Sequence, residues 1–426
     1  MEQQAIWAIG IFLVIYALII SEKIHRTIVA VIGGIIMIAC GIVSQEVAIT
    51  HIDFNTLGLL IGMMVIVSIT AETGLFKYIA IYAAKKAKGQ PIPIMIFLAV
   101  ITAVGSAFLD NVTTVLLMVP VTFSITRQLR VNPVPYLLTQ ILASNVGGTA
   151  TLIGDPPNIM IGSAVKELTF MSFIANLTPI AVIVMLAYIP IFILLFRKQL
   201  KTSPELKQSI MELDMSELIT NRSLMKKCLV VLGITILGFF LHQTLHLESA
   251  TVALAGAFLL LLMTGEHKME EAFSRVEWTT IFFFVGLFVL VSGLVYTGVI
   301  AELAAKAIEW TGGDPIATSM LILWLSAIAS SFLDNIPFVA TMIPMIQEMG
   351  NMGVSNLEPL WWSLALGACF GGNGTLIGAS ANLIVAGLSG KEGYPIRFVQ
   401  FLKIGFPLML LSIVLSSAYI FLRYLL

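Results

Sequence analysis

The stretch SAFLDNVTTVLLMVP, residues 106–120, places a carboxylate beside an amide inside an apolar run. It occurs again at residues 330–344 as SSFLDNIPFVATMIP, where eight of the 15 positions are identical at an offset of 224 residues. The chain is therefore predicted to contain two copies of one unit. Two further pairs of segments share the same offset, namely GGTATLIGDPPN (147–158) with GGNGTLIGASAN (371–382), and 53–74 with 277–298.

Composition places the chain in a membrane. Hydrophobic residues make up 58% and charged residues 11% of the 426 positions, whereas an ordinary soluble protein is about 25% charged. The formal net charge of -1 gives no reason to expect a nucleic-acid partner. The three cysteines show no CxxC spacing, and the sequence has no GxxxxGKS/T or HExxH motif. We expect an integral protein of the lipid bilayer with no enzyme activity and no cofactor.

Twelve apolar segments follow one another, and most suit one crossing of a bilayer, which takes about 20 residues. Two are too long for one crossing and too interrupted for two. Basic residues flank the first of these on both sides, and basic residues gather in the cytoplasm. It is therefore predicted to be a re-entrant hairpin with Asp110 and Asn111 at its tip. The segments are 5–20, 27–43, 55–76, 92–126 (hairpin), 136–162, 173–196, 228–244, 250–264, 278–298, 315–346 (hairpin), 357–387 and 398–422.

The predicted fold is an all-α polytopic membrane protein with two inverted repeats of five transmembrane helices, each with a re-entrant hairpin and a discontinuous helix. Because each repeat crosses the membrane an odd number of times, the second repeat is inverted relative to the first. We divide the chain into a first repeat (1–200), a connector (201–225) and a second repeat (226–426). The N-terminus is placed outside the plasma membrane, and the polar stretch 197–227 in the cytoplasm as a solvated linker with room for one amphipathic surface helix. Of the 23 Lys and Arg, only Lys166, Lys306 and Arg423 then lie outside.

The two hairpin tips carry the strongest candidates for chemistry. A charge at the bilayer centre costs at least ~2.5 kcal/mol, so Asp110 and Asp334 are expected to be functional. Each aspartate is suited to hold a proton or, with the adjacent Asn111 or Asn335, a Na⁺ ion. The alternative is that each aspartate only caps the half-helix that follows it, and the two roles can coexist.

The second repeated motif predicts the discontinuous helices. Its glycines permit unwound backbone in mid-membrane, although they also suit close helix packing. Pro156 and Pro157 would break the first of these helices. The glycines are Gly147, Gly148, Gly371 and Gly372, and the hydroxyl and amide groups near the breaks belong to Thr149, Thr151, Asn373 and Thr375.

The two halves differ in charge. Asp155 in the first half corresponds to Ala379 in the second, so the first half has one more intramembrane carboxylate. We expect a cation or proton site biased toward the first half, although Asp155 could instead be a plain helix-end group. Asp53 and Glu277 are expected to be interfacial caps, and Glu72 to reach outward to the membrane surface.

The stretches SAFLDNVTTVLLMVPVT, NVGGTATLIGDPPN, SSFLDNIPFVATMIP and GACFGGNGTLIGASAN resemble the ion transporter superfamily. The likeness is to its branch of arsenite/antimonite permeases (ArsB type) and NhaD-type sodium/proton antiporters, and most of all to the P-protein-like members. It implies a scaffold domain, usually a dimer contact, and a transport domain holding two opposed hairpins and two broken helices.

Relatives that carry dicarboxylates have Ser-Asn-Thr at the hairpin tips. This chain has Asp110 and Asp334 in place of the serines, which disfavours an anionic carboxylate and favours a cation, or a neutral solute coupled to protons. By that pattern the resemblance implies as binding residues Asn111, Thr113, Thr151, Asn158, Asn335, Thr375 and Asn382.

Four functional hypotheses follow from this sequence. The first is a secondary transporter that exports arsenite or antimonite against inward proton movement, with Asp110 or Asp334 carrying the proton. The second is a Na⁺/H⁺ antiporter that uses the same carboxylates. The third is a transporter of carboxylates or other anions, and the fourth is a channel or a non-transporting membrane protein. A homodimer is expected, driven by an ion gradient or by a partner ATPase.

Overall fold

The computed structural model of the protein describes residues 2–21, 23–265 and 267–426. Nine helices within these ranges are long and apolar enough to cross a bilayer, and two further apolar helices are shorter. The predicted all-α polytopic fold is confirmed.

The first half begins with two helices joined by a short loop and ends with one of 27 residues. In order, its helices are α1 Glu2–Ser21, α2 Arg26–Ala39, α3 Gln45–Thr50, α4 Phe54–Ala71, α5 Leu75–Lys86, α6 Pro91–Phe108, α7 Asn111–Leu129, α8 Val134–Thr149, α9 Pro156–Ala164 and α10 Phe170–Phe196.

The second half follows a connector that contains one short helix, α11 Pro204–Met211. The chain ends in a π-helical turn, Phe421–Leu425. The helices between are α12 Arg222–Leu241, α13 Ser249–Thr264, α14 His267–Ser274, α15 Trp278–Tyr296, α16 Val299–Thr311, α17 Pro315–Phe332, α18 Asn335–Asn351, α19 Glu358–Gly371, α20 Ser380–Lys391 and α21 Phe398–Ile420.

Both predicted hairpins are present as pairs of helices, α6–α7 and α17–α18, that turn at the Leu-Asp dipeptide of the repeated motif. Proline occupies the first turn of each first leg, where its missing N–H costs nothing. Each first leg has 18 residues, which makes it ~27 Å long. The second hairpin continues to Asn351 rather than ending at residue 346, because helical hydrogen bonding carries on past Pro344.

The discontinuous helices are α8–α9 and α19–α20, interrupted at residues 150–155 and 372–379. Pro156 begins α9, so its fixed φ starts the second segment. Gly147 and Gly148 lie inside α8, and Gly371 ends α19. The expectation that these glycines supply the unwound backbone is therefore wrong for the first half, where the break begins after Thr149.

Two helices of the first half each pack against a helix of the second half, α4 against α13 and α2 against α15. A Cβ atom on Gly62 would lie 2.6 Å from the carbonyl carbon of Ala253, and one on Gly286 would lie 2.6 Å from that of Ala30. Small residues thus let these backbones approach closely, as is common between membrane helices. The four helices form a frame beside the hairpins.

The connector contains the amphipathic helix that the prediction allowed for, and it is also hydrogen-bonded to the membrane helices. The Thr202 hydroxyl donates to the carbonyl of Leu129 (2.7 Å), and the Thr220 amide donates to that of Thr73 (3.1 Å). Ile210 on α11 is fully buried. Apolar residues four positions apart on α11 give this short helix a buried face, so the connector is fastened across the ends of α4 and α7.

Candidate functional site

A cavity of about 20 Å³ lies where the two hairpin tips meet the break of the first discontinuous helix. Four predicted site residues line it, Asp110, Asn111, Asp155 and Asn335. The structure adds four polar residues that the sequence did not single out as binding residues, Arg26, Glu277, Thr280 and Ser380.

Asp110 caps a helix, as the sequence offered, and it also lies at the candidate site. Its carboxylate caps α7, accepting the amide N–H of Thr113 at 2.8 Å and the hydroxyl of the same residue. The side chain also lines the cavity. The Thr113 hydroxyl thus donates to the carboxylate of Asp110 and does not face a ligand by itself.

Asp155 is the least satisfied of the three aspartates. It holds the N-cap position of α9 without a capping hydrogen bond, and it is 1% exposed. Its Oδ1 accepts the amide of Asn335 at 3.3 Å, across 180 residues of sequence. Its Oδ2 is buried without a hydrogen-bond partner among the residues that the structure describes. Such an atom in a native protein calls for a proton, an ion or a water.

Asp334 is paired with a residue that the sequence did not identify, Arg26 at the start of α2. The guanidinium donates both to Asp334 and to the hydroxyl of Ser380, the latter at 2.8 Å. Ser380 in turn donates to Asp334 at 2.9 Å. The guanidinium also lies over the ring of Phe283, 4.9 Å from its centroid, a favourable cation–π arrangement.

A chain of amides links the first hairpin tip to the second half. Asn111 donates to the Asn145 side-chain oxygen at 3.2 Å, and Asn145 donates to Asn373 at 2.9 Å and to Asn382 at 3.1 Å. All of these side chains are buried. Asn145 is thus a hub of this network, and its counterpart in the second repeat is Cys369.

Two predicted binding asparagines serve the helix breaks themselves. Asn158 donates to the carbonyls of Thr149 (3.1 Å) and Thr151 (2.8 Å), and Asn382 donates to those of Gly372 (2.7 Å) and Thr375 (2.9 Å). These carbonyls have lost their helical partners, so the amides satisfy them.

The predicted threonines are also bound to backbone. Thr151 donates to the carbonyl of Ala107 and Thr375 to that of Ser331, each at the end of a first hairpin leg. Thr149 donates to the carbonyl of Asn145 one turn earlier. These hydroxyls hold the breaks against the hairpins and do not line the cavity.

Gly148 and Gly372 allow each broken helix to fold back on itself. A Cβ on Gly148 would lie 2.7 Å from the carbonyl oxygen of Gly154, and one on Gly372 would lie 3.2 Å from that of Gly378. Their role in the structure is close packing, the alternative that the sequence left open.

Two acidic residues occupy positions that the sequence did not predict. Glu277 lines the cavity instead of being an ordinary interfacial cap, although its repeat partner Asp53 does cap α4. Glu72 pairs with Lys268 (2.7 Å) and Arg275 (3.1 Å) rather than reaching freely to the surface. Within the described ranges, no group of three or more His, Cys, Asp or Glu is arranged to hold a metal ion.

Opposed hairpins and broken helices that meet at buried polar groups define a polytopic membrane transporter. The comparison with known proteins agrees with this class. The chain belongs to the CitMHS family, described as "Citrate transporter", which matches residues 16–367.

Its relatives are membrane proteins and transporters. An uncharacterized transporter of Mycobacterium tuberculosis is 44% identical over 426 residues, with 99% of each chain covered. The 46 kDa membrane protein of Mycobacterium leprae is 41% identical over 424 residues, with 98% of each chain covered. The P protein of Mus musculus is 36% identical over 501 residues, covering 98% of this chain and 60% of that protein. The predicted likeness to P-protein-like members is confirmed, whereas the ArsB/NhaD branch stays a prediction.

A solved structure shows a similar fold. The crystal structure of the Alcanivorax borkumensis YdaH transporter, described as having an unusual topology, superposes with a TM-score of 0.59. The two chains are 14% identical, and the superposition covers 88% of this chain and 86% of the other. At that identity the match supports the transporter fold of this chain.

Proposed function

We propose that this chain is a secondary active transporter that exchanges protons for a small cation such as Na⁺ at Asp155 and Asp110. The observation that carries this proposal is the unpartnered Oδ2 of the buried Asp155. Burying an ionised carboxylate is costly unless it is paired or protonated. A proton and a cation would each satisfy this oxygen, so the two would compete for it.

The size of the cavity favours an ion over a larger solute. About 10–15 Å³ is needed for one water molecule, so the 20 Å³ at the aspartates suits a proton or one dehydrated cation. A citrate ion is many times larger. In the conformation described here, citrate would require the hairpin tips to separate.

Charge points the same way. Asp110, Asp155 and Glu277 line the cavity, where Arg26 is the one basic residue among its lining groups. A free tricarboxylate would meet carboxylates at short range, which is repulsive unless they are protonated or already hold cations. We therefore do not propose citrate as the cargo of this chain.

Arsenite efflux, the first hypothesis from the sequence, has weaker support than cation exchange. A neutral solute would need free amides and hydroxyls, but those of Asn145, Asn158, Thr151 and Asn382 bind one another or the backbone. Cys369 is buried, with its Sγ 3.6 Å from an oxygen of Asn158, and it has no second thiol beside it to bind trivalent arsenic.

We place this activity on two inverted units, 1–200 and 226–426, joined by the cytoplasmic connector 201–225, with the N-terminus outside the plasma membrane. Helices α2, α4, α13 and α15 serve as the scaffold, the site of a homodimer contact. The hairpins and broken helices form the part that moves. An ion gradient drives this scheme without an ATPase partner.

The test is transport by the purified protein in proteoliposomes. The vesicle interior is made acidic, which quenches the fluorescence of a pH-sensitive dye. Addition of Na⁺ should restore the fluorescence, because protons leave as Na⁺ enters. Asp155→Asn and Asp110→Asn should each lower that rate by about 10-fold or more, since each removes a charge that the cation needs. Glu72→Gln is the matched control, because Glu72 belongs to an ion-pair cluster away from the cavity.

Citrate and arsenite are the competing cargoes, each supplied in place of Na⁺. Wild-type rates in Asp155→Asn, or saturable citrate or arsenite flux without any response to cations, would refute the proposal.

A further inference from the structure

We propose that Arg26 is the gate of this site. Its guanidinium separates the small cavity at the aspartates from a larger one and is held in place by Asp334. The identity of the cargo rests on the proposed function, whereas the position of the gate does not.

Two cavities meet at this residue. The larger one, of about 290 Å³, lies between the end of α1, the second hairpin tip and α20. The smaller is the 20 Å³ cavity at Asp110 and Asp155. Arg26 and Ser380 line both cavities, and they are joined by the 2.8 Å hydrogen bond. This pair is therefore the wall between the two spaces.

The wall is built from elements that belong to different parts of the molecule. Arg26 is the first residue of α2, which packs on α15 in the frame. Asp334 is at the hairpin tip, and Ser380 begins α20. Breaking this contact would free the tip from the frame and at the same time connect the cavities. The side chains of Arg26 and Asp334 are 27% and 10% exposed, so the pair is shielded but reachable from the larger cavity.

The first hairpin tip lacks this device. In the two equivalent helix contacts, Gly286 packs against Ala30 and Gly62 packs against Ala253. Ala253 is therefore the counterpart of Ala30, and the residue four positions earlier, Ser249 at the start of α13, is the counterpart of Arg26.

Ser380 corresponds to Pro156, which has no hydroxyl. Asp110 therefore has neither of the partners that hold Asp334, and its contacts are with its own Thr113. A contact that merely stabilised a hairpin tip would be expected at both tips. Its presence at the second tip alone points to a specific role.

The chemistry of opening is competition between cations. Asp334 faces the larger cavity, where an arriving cation can replace the guanidinium as its partner. Arg26 would then swing away while its guanidinium remains near the ring of Phe283 and the carboxylate of Glu277, which lines the same small cavity. No covalent bond changes, and the arriving cation adds one positive charge to the wall.

The experiment measures access to the small cavity in detergent, where both faces of the protein meet the reagent. Met64, which lines that cavity, is replaced by Cys, and its modification by a charged methanethiosulfonate is followed at residue 64 by mass spectrometry. Arg26→Gln and Asp334→Asn should each raise the rate about 10-fold or more, because either change removes the contact that closes the wall. Arg26→Lys should give a smaller increase.

Arg127→Gln is the matched control, because it breaks another interhelical ion pair, with Glu392, away from both cavities. It should leave the labelling rate unchanged. Equal labelling in wild type, Arg26→Gln and Asp334→Asn, all with sharp melting transitions, would overturn the proposal. If Arg26→Gln fails to fold, Asp334→Asn and Arg26→Lys decide it.

Labelling does not depend on the cargo. If the variants are labelled faster but the wild type shows no Na⁺/H⁺ exchange, the gate is retained and the cation is rejected. If the wild type exchanges Na⁺ for H⁺ but the variants are not labelled faster, the gate alone is rejected.

Discussion

The substitution Gly147→Ala tests how tightly the first broken helix is packed against its hairpin. A Cβ atom at this position would lie 2.5 Å from the carbonyl carbon of Ala103 and closer still to its oxygen. Real Cβ atoms essentially never approach other atoms to less than 3.0 Å. The carbon contact alone requires helices α6 and α8 to separate by 0.5 Å (3.0 minus 2.5), and the closer oxygen requires more. Both atoms are backbone that cannot rotate away.

The expected cost follows from two opposing effects. Overpacking costs about 1–3 kcal/mol, and alanine recovers about 0.5–1 kcal/mol relative to glycine inside a helix. The difference is a net loss of about 0–2.5 kcal/mol at Gly147, and the contact with backbone places it in the upper half of that range. Because α8 carries Asn145, transport should fall as well.

The chain offers a graded series for the measurement, which is thermal unfolding of the purified protein in detergent. Gly371 is the repeat partner, where the nearest atom to an added Cβ would be 2.7 Å away, so Gly371→Ala should cost less. Gly233 on α12 has nothing within 4 Å, so Gly233→Ala should raise the melting temperature. If Gly147→Ala proved as stable as Gly233→Ala, the close packing of α6 and α8 would be refuted.

Two further predictions concern the amide hub and the orientation. Asn145→Ala leaves the buried amides of Asn111, Asn373 and Asn382 short of a partner. Each unsatisfied group costs about 1–3 kcal/mol, so the melting temperature and the transport rate should both fall. Full activity would show that the halves are not coupled through this residue. For the orientation, an impermeant thiol reagent applied to intact cells should reach Asn351→Cys but not Ser203→Cys, and the reverse pattern would overturn the topology.

The frame of the fold could be predicted because its signals are local and repeated. A Leu-Asp-Asn triplet inside an apolar run with basic residues at both ends indicates the first hairpin without any knowledge of contacts, and the repeat of the motif indicates the second. The turns do occur at Leu109 and Leu333. The prolines of the second motif likewise indicate where α9 begins. Asp155 stood out because its repeat partner is Ala379, and a difference between duplicated motifs can be read directly from the sequence.

The partners of the aspartates could not be predicted because they come from distant parts of the chain. Arg26 and Asp334 are 308 residues apart. A basic residue between two apolar segments is already explained by the charge rule for cytoplasmic loops, so nothing in the sequence marks Arg26 as special. Glu277 was expected to be an interfacial cap because it lies at a predicted helix end, yet the packing of α15 brings it to the cavity. For Asn145 a signal was present, since the repeat has Cys369 at its place.

The contrast between the halves bears on how one duplicated frame can drive exchange. Inverted repeats allow a transporter to adopt two mirrored conformations around a central site, but identical halves would also bind the same ion twice. Here the first half contributes Asp110 and Asp155 around the first hairpin tip, a charge of -2 when both are ionised, whereas Asp334 at the second tip is already paired with Arg26 of the first half, a charge of 0 for the pair. Only the first tip can accept a cation without displacing a resident one. On our proposals, binding therefore occurs at the first tip and opening at the second, so Asp155→Asn should lower exchange by about 10-fold or more while leaving the access of Met64→Cys unchanged.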